Sequence, residues 1–92
     1  MRELVLDGAA VHSREALHEW FAGELELPEY YGRNVDALFD CLTGLCVPTR
    51  LVVARAEALR QELGAYGSLV LEALADAAAE NEQFELAFVD EA

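Results

Sequence analysis

The sequence predicts an α/β fold in which about four helices cover a three-stranded parallel sheet, in the order β-α-α-β-α-α-β. Three short apolar segments, at residues 4–6, 51–53 and 84–89, have the length and composition of strands. The two stretches between them carry apolar residues at helical spacing and are interrupted by glycine, so each is expected to hold two helices. Because strands joined through helices run parallel, we expect one sheet in a single domain that spans residues 1–92.

The three strand segments differ in their patterns. The segment at 4–6 is ended by Asp7-Gly8, which is a strong turn signal. The run at 51–53 is apolar without alternation, which is typical of a strand buried on both faces. The segment at 84–89 alternates, so one of its faces should pack on the core. Residues 90–92 are expected to form a frayed tail.

The first helix is expected to follow Ser13, whose hydroxyl can cap it. We expect Trp20 to point into the core. His18 lies at the edge of the apolar face and is interpreted as a surface residue. The positions that define this apolar face are Ala16, Leu17, Trp20, Phe21 and Leu25.

The third and fourth helices lie between the second and third strands. Residues 54–63 are rich in good helix formers, and Gly64 is expected to end that helix. Residues 65–67 are interpreted as a connector. Ser68 is then predicted to cap a fourth, alanine-rich helix from residue 69 to about residue 81.

The composition is strongly acidic, with eighteen Asp and Glu against six Arg, no Lys and a formal net charge of −12. Such a charge argues against binding nucleic acid or an anionic membrane and favours a basic partner, unless it serves solubility alone. The start of the chain lacks the layout of a signal peptide, and no apolar run is long enough to span a bilayer. We therefore expect a cytoplasmic protein, in which Cys41 and Cys46 are reduced and bind no metal.

Residues 27–44 hold the most informative pattern of the chain. Tyr30 and Tyr31 lie on a loop bracketed by Pro28 and Gly32, and we expect the loop to present both rings. The helix that follows should run from an Asn34 cap to Gly44, since its apolar positions recur at helical spacing. Its buried face is predicted to consist of Val35, Leu38 and Leu42, with Asp36, Asp40 and Thr43 on another face and Phe39 at the edge.

Two sets of acids are spaced so that they repel each other along a helix. Asp36 and Asp40 are four residues apart, and Glu72, Asp76 and Glu80 form a second stripe with no base between them. Solvated acidic faces of this kind are common. Beside a pair of tyrosines, they also fit a surface for a positively charged partner.

Nothing in the sequence has the layout of a known catalytic motif. Ser13 and Ser68 are explained as helix caps, Cys41 has no neighbouring histidine in the sequence, and no glycine-rich phosphate loop occurs. Carboxylate chemistry at Asp36, Asp40 and Asp76 is the enzymatic alternative, and a nuclease of that kind would also need basic surface for its substrate. We therefore predict no enzyme and no cofactor.

The motifs LPEYYG (27–32), N-x-D-A-L (34–38) and DCLTG (40–44) follow in this order in this stretch, with one residue between neighbours. Here the chain resembles the barstar family, intracellular inhibitors of the bacterial ribonuclease barnase. The resemblance implies the same β-α-α-β-α-α-β layout. It also implies stoichiometric inhibition of a bacterial, barnase-like ribonuclease, whose basic active-site cleft the inhibitor's carboxylates would occupy in place of phosphates. The alternative is an interaction module of the same fold with a basic partner that is not a nuclease.

The resemblance also places the partner-binding residues, among which Asp40 is expected to enter the phosphate site of the nuclease. The expected set is Tyr30, Tyr31, Gly32, Asn34, Val35, Asp36, Phe39, Asp40, Thr43, Gly44, Leu45, Asp76 and Glu80.

The chain departs from the family pattern at several of these positions. The family's type member has tryptophan where this chain has Phe39 and Leu45, glutamate where it has Asp76, and an acid where it has Arg33. A positive charge at Arg33 would oppose a basic cleft. The family carries a cis bond at the position of Val47-Pro48, and the sequence leaves that isomer open.

Overall fold

The computed structural model describes residues 1–90, so residues 91 and 92 of the predicted tail lie outside the described chain. The predicted order of strands and helices is confirmed. The strands are β1 (Arg2–Asp7), β2 (Thr49–Ala54) and β3 (Phe84–Val89), and a short 3-10 turn (Gly8–Ala10) follows β1. The helices are α1 (Arg14–Glu24), α2 (Val35–Thr43), α3 (Ala56–Leu63) and α4 (Ala65–Glu80).

The three strands form one parallel sheet in the order β1-β2-β3. In this register Leu51 of β2 lies between Leu4 of β1 and Leu86 of β3, and the next inward position of β2 is Val53. Leu51 and Val53 are 1% and 0% exposed. β2 is therefore the central strand of the sheet, and its inward side chains anchor the core.

The prediction that β2 is buried on both faces is wrong. Val52 is only half-buried, and its neighbour in the sheet, Val5 of β1, is 47% exposed. Arg50 and Glu3, paired in the same register, are also exposed on that side, with 3.9 Å between Nη1 and Oε2. The apolar run at 51–53 thus forms a strand with one open face. Apolar composition alone does not distinguish such a strand from one that is covered on both faces.

The turn between α3 and α4 is much tighter than predicted. The expected connector at 65–67 is part of α4, and Ser68 lies inside the helix instead of capping it. Gly64 alone separates the two helices, with a φ of 61° that favours glycine. Gly67 allows the close approach of the helices, since a Cβ there would lie 2.7 Å from the carbonyl oxygen of Leu59.

α1 packs its apolar face on the core largely as predicted. The Ser13 side chain accepts a hydrogen bond from the Ala16 N–H at 3.0 Å, as a helix cap should. Phe21 is fully buried, whereas Trp20 is half-buried and meets the Phe21 ring edge-on at 5.0 Å between centroids. Phe21, more than Trp20, is the central aromatic residue of this helix.

α2 has the predicted boundaries and caps. The Asn34 side chain accepts a hydrogen bond from the Ala37 N–H at 2.8 Å, and Gly44 ends the helix by donating to the Asp40 carbonyl. Leu38 and Leu42 are buried as predicted, and Val35 is half-buried. The Val47-Pro48 bond that follows is trans, as is every other peptide bond within residues 1–90.

Asn81, the C-cap of α4, holds the far end of α2. Its amide nitrogen donates to the carbonyl oxygens of Leu42 and Leu45, at 3.0 and 3.1 Å. The last carbonyls of a helix have no partner within the helix, and the Leu42 carbonyl accepts from the Leu45 N–H only at 3.4 Å. The Asn81 side chain therefore gives it a shorter bond and fixes the chain after α2.

We expect Asn81→Ala to lower the free energy of unfolding by about 1–3 kcal/mol, because the Leu45 carbonyl loses its side-chain donor and the Leu42 carbonyl keeps the long bond from the Leu45 N–H, at 3.4 Å. Asn81→Asp is the matched control. It keeps the side-chain oxygen that accepts from the Gln83 N–H, but it cannot donate. It should therefore destabilise the protein at least as much. Urea unfolding measures both variants, and an unchanged midpoint for Asn81→Ala would contradict this role.

Candidate partner-binding surface

α2 and α4 pack side by side and bring the two predicted acidic sets together. Between them lies a shallow groove of about 270 Å³, which we call the acidic groove. Its carboxylates are Asp36 from α2 and Glu72 and Asp76 from α4. Its apolar lining comes from Val35, Phe39, Leu69 and Ala73. Leu69, Glu72 and Ala73 are not in the predicted set. Of these, Glu72 could have been found, because it lies four residues before Asp76 on the same helix face.

Asp40 lies one turn further along α2 and is exposed. Its backbone carbonyl accepts from the Gly44 N–H at 3.1 Å and from the Thr43 hydroxyl at 3.2 Å. These bonds fix the end of the helix, while the Asp40 side chain makes no hydrogen bond within residues 1–90. The carboxylate is therefore free to accept from a partner.

The end of α4 lies close to the end of α2. Glu80 is the last residue of α4 and is exposed, and the next residue, Asn81, bonds to the carbonyl of half-buried Leu45. Thr43, Gly44 and Leu45 therefore lie near the end of the acidic stripe of α4.

The carboxylates of this surface have no ion-pair partner in the described part of the chain. The ion pairs between residues 1 and 90 involve other acids, namely Glu3, Asp7, Glu19, Glu57 and Glu62. Asp36, Asp40, Glu72, Asp76 and Glu80 are all exposed. Like charges on adjacent helix faces repel, so this surface keeps an unneutralised negative field that a cationic partner can relieve.

The loop at residues 28–34, which we call the tyrosine loop, presents one tyrosine and buries the other. Tyr30 is 88% exposed, whereas Tyr31 is 6% exposed. The Tyr31 N–H donates to the Pro28 carbonyl at 3.0 Å, which closes a turn that points the two rings in different directions. The expectation that the loop presents both rings is therefore wrong for Tyr31, whose ring belongs to the core.

His18 is the clearest departure from the sequence-based expectation. The spacing predicts a surface residue, but His18 is 1% exposed, because its ring is covered by two tyrosines. Its Nδ1 lies 2.6 Å from the Tyr31 hydroxyl and its Nε2 lies 2.7 Å from the Tyr66 hydroxyl. Burial lowers the pKa of His18, an effect to which the positive charge of Arg33 adds and which Glu15 opposes.

Arg33 does not offer a free positive charge to a partner, because its guanidinium pairs with Glu19 of α1. The pair is solvent-exposed and contributes little to stability. Glu19 nevertheless offsets the positive charge of Arg33, which departs from the family pattern.

Other chemistry at this surface is limited. Burial raises the pKa of the Cys41 thiol, and the charge of Asp40 raises it further, so the group stays protonated and is a poor nucleophile. In the described part of the chain, no three His, Cys, Asp or Glu side chains come together as a metal site. Over the same residues, no helix has the length and hydropathy needed to cross a membrane.

The fold and this surface define a class, a small α/β protein that presents acidic helix faces beside an exposed tyrosine. The sequence model described as "Barstar (barnase inhibitor)" matches residues 1–91. The chain belongs to the barstar family. It is also 42% identical over 78 residues to a protein of Bacillus subtilis (strain 168) named "Putative ribonuclease inhibitor YrdF", covering 84% of this chain and 86% of that protein. The predicted family is thus confirmed, and its description is that of an inhibitor.

Proposed function

We propose that this protein inhibits a bacterial, barnase-like ribonuclease by binding one-to-one and covering its active site. The observation that carries the proposal is the set of exposed, unpaired carboxylates on α2 and α4. Family membership supports a ribonuclease as the partner. Such an inhibitor would act in the cytoplasm as an immunity protein, protecting its producer from its own nuclease.

The mechanism that we propose needs no bond to be made or broken. A ribonuclease holds the phosphates of its substrate with cationic side chains, and the guanidinium fork of arginine pairs with carboxylate as it does with phosphate. Asp40 on a rigid helix would take the place of one phosphate. Asp36 and Asp76 across the acidic groove would pair with further cationic groups, and Tyr30 would contribute aromatic surface at the edge.

The net charge of −12 would also act before contact. An acidic inhibitor and a basic enzyme attract each other over distances that salt screens beyond ~8–10 Å. The association rate should therefore fall as salt rises. A rate independent of salt would mean that the charge serves solubility alone.

The test of the proposal is titration of the protein into barnase during RNA cleavage. We expect activity to fall linearly to zero at one equivalent, since tight binding makes inhibition stoichiometric. Pull-down from the producing cell, with the captured protein separated from the inhibitor before it is assayed on RNA, extends the test to the native partner. If barnase stays active at large excess and the captured protein cleaves no RNA, the proposal is wrong and a partner that is not a nuclease is favoured.

Asp76→Ala and Asp36→Ala should separate binding from stability. Asp76 has Glu72 and Glu80 four residues away on either side, so its removal should leave stability unchanged or raise it by about 0.5 kcal/mol. Asp36 lies in the first turn of α2, where a carboxylate gains about 0.3–1 kcal/mol from the helix N-terminus. Its removal should therefore bring no net gain.

Both substitutions should weaken binding to the ribonuclease. Urea unfolding and inhibitor titration on the same samples provide the comparison. A loss of more than ~1 kcal/mol of stability in Asp76→Ala would show that this carboxylate makes a stabilising contact. Unchanged inhibition by both variants would show that the acidic groove is not part of the interface.

A further inference from the structure

β3 is an edge strand whose outer side has no strand partner within residues 1–90. The sheet order β1-β2-β3 gives it one neighbour, β2. At the two ends of the β2–β3 ladder, the carbonyl oxygens of Gln83 and Val89 accept from β2 at 2.7 and 3.1 Å. In a parallel ladder, residues that bond to the neighbour alternate with residues that point away from it. Leu86 and Phe88 therefore direct their N–H and carbonyl groups away from the sheet.

The same edge is apolar and open to solvent at its carboxyl end, where Phe88 and Val89 are 53% and 42% exposed. Proteins commonly protect an edge strand with lysine, proline, a bulge or a covering element, because unpaired backbone groups beside apolar side chains pair readily with another strand. The sequence of β3, FELAFV, contains neither lysine nor proline, and Glu85 is its single charge. β3 therefore has the features of a strand that pairs with another chain.

A groove lies beside each end of β3, and we call the two the carboxyl-end groove and the amino-end groove. The carboxyl-end groove, of about 620 Å³, is lined by residues that include Arg55, Glu57, Arg60, Phe88, Val89 and Asp90. The amino-end groove, of about 610 Å³, is lined by residues that include Arg50, Ala78, Glu82, Phe84, Glu85 and Leu86. One end of the strand thus combines two arginines with an exposed phenylalanine, and the other combines two glutamates with apolar side chains.

The charged groups at the two ends are able to pair with a second chain. Glu82 and Glu85 take part in no ion pair in the described part of the chain. Arg55 and Arg60 each hold one exposed ion pair within their own chain, at 2.8 and 3.1 Å. A guanidinium has five N–H donors, so each keeps donors for a further carboxylate.

We propose that two copies of this chain form a dimer in which their β3 strands pair antiparallel about a two-fold axis at Ala87. Antiparallel pairing places the carboxyl-end groove of each copy beside the amino-end groove of the other, so arginines meet glutamates twice. Glu85 of one copy then faces Val89 of the other, and no like charges are directly opposite. The dimer is a property of the free protein and does not rest on the proposed inhibition.

The position of the axis follows from the free backbone groups. With the axis at Ala87, Leu86 of each copy faces Phe88 of the other, and each of these two pairs exchanges both backbone hydrogen bonds. The exposed Phe88 ring also packs beside Leu86, at the apolar part of the amino-end groove. An axis at Leu86 would instead use Phe84, whose N–H already donates to the Asn81 carbonyl.

The dimer leaves the acidic groove open, because no residue that lines the acidic groove lines either groove beside β3. Each copy carries a formal charge of −12, so long-range repulsion opposes the association. Salt at ~0.15 M screens that repulsion beyond ~8 Å. We therefore expect a weak dimer that forms at high protein concentration in the presence of salt.

Hydrogen exchange of the parent protein at two concentrations tests the pairing directly. The Leu86 and Phe88 N–H groups gain partners in the dimer, so they should exchange about tenfold more slowly at about 1 mM than at about 10 µM protein. The Val5 N–H is the internal control. It points away from the sheet on β1, where the Arg2 N–H bonds to β2, and its exchange rate should not depend on concentration. Equal rates for Leu86 and Phe88 at both concentrations would overturn the proposal.

Sedimentation equilibrium tests the symmetry and the position of the interface. At ~0.15 M salt, the mass of the parent should rise from one chain to two, and no further, between about 10 µM and about 1 mM protein. Phe88→Glu adds a carboxylate beside the glutamates of the other copy, and the two-fold axis makes the change act twice. It should raise the dissociation constant of the dimer about tenfold or more.

Val5→Glu is the matched control, since Val5 is 47% exposed on the other edge strand. It should dimerise like the parent, and circular dichroism checks that both variants fold. A Phe88→Glu variant that dimerises like the parent, or a parent that stays monomeric at about 1 mM, would overturn the proposal. Equal losses in both variants, or masses beyond two chains, would mean that β3 pairs with β1 of another copy in an open array and would contradict the closed dimer. Should Phe88→Glu not fold, the exchange rates of the parent decide.

Discussion

Replacing Val53 by aspartate should unfold the domain. Val53 is 0% exposed on the central strand, between Leu6 of β1 and Phe88 of β3 in the register of the sheet. A carboxylate there would be buried without a base or a hydrogen-bond donor, at a cost of several kcal/mol. That cost is comparable to the whole stability of a small domain, which is about 5–15 kcal/mol. Circular dichroism and thermal melting measure the outcome.

Val52→Asp is the matched control for this prediction. It is the same change on the same strand, but Val52 faces the open side of the sheet and is half-buried. Its new carboxylate can reach water, so we expect a cooperative fold with a loss well below that of Val53→Asp. If the two variants melted alike, the assignment of one covered and one open face would be wrong.

Replacing Asp40 should produce the largest loss of binding among single substitutions. In the proposed complex, Asp40 is desolvated and paired with two or more cationic groups of the ribonuclease. Asp40→Ala would leave those cations buried without a counter-charge, so the loss should exceed the ~2 kcal/mol that defines a binding hot spot. The general range of coupling energies for close charge pairs at protein interfaces was itself established on the complex of barnase with barstar.

Asp40→Asn tests charge at nearly constant shape. A neutral amide offers one carbonyl oxygen where the carboxylate offers two charged ones, so Asp40→Asn should lose most of what Asp40→Ala loses. Both variants should fold normally, because the Asp40 side chain is exposed and makes no ion pair within residues 1–90. If Asp40→Asn inhibits as well as the parent while Tyr30→Ala does not, recognition rests on the tyrosine loop instead.

Local signals in the sequence predicted most of the fold. The caps at Ser13, Asn34 and Gly44 depend on neighbouring residues alone, and the structure has each of them as predicted. The segment at 84–89 is a strand as predicted, but its expected inward face is buried only at its start, since Phe84 is buried, Leu86 is half-buried and Phe88 is 53% exposed. The error at Ser68 has a local cause as well. A serine after Ala65-Tyr66-Gly67 is typical of a cap, but the approach of α4 to α3 at Gly67 lets the helix start three residues earlier.

The burial of His18 could not be predicted from spacing. Periodicity places the residue at the edge of the apolar face of α1, and whether an edge residue is buried depends on what lies over it. Here Tyr31 and Tyr66 cover it, from positions 13 and 48 residues away in the chain. The burial of Tyr31 could not be predicted for the same reason. Its buried partner, His18, lies 13 residues away, and the neighbouring Tyr30 gives no sign of it.

The carboxylates of the candidate surface were predictable individually, and their arrangement was not. The i, i+4 spacing identifies Asp36 with Asp40 and Glu72 with Asp76 and Glu80. Only the packing of α2 against α4 places Asp36 across a groove from Glu72 and Asp76, and only that packing adds Leu69 to its lining.

The central claim is that the carboxylates of α2 occupy the phosphate site of a ribonuclease. Competition with a 3′-mononucleotide tests it most directly, because the nucleotide's phosphate binds that same site. We expect the apparent dissociation constant of the parent protein for barnase to rise in proportion to nucleotide concentration once the nucleotide exceeds its own dissociation constant, and that of Asp40→Ala to rise much less. Tight binding of the parent that is indifferent to the nucleotide would contradict the claim, since it would place the protein elsewhere on the enzyme.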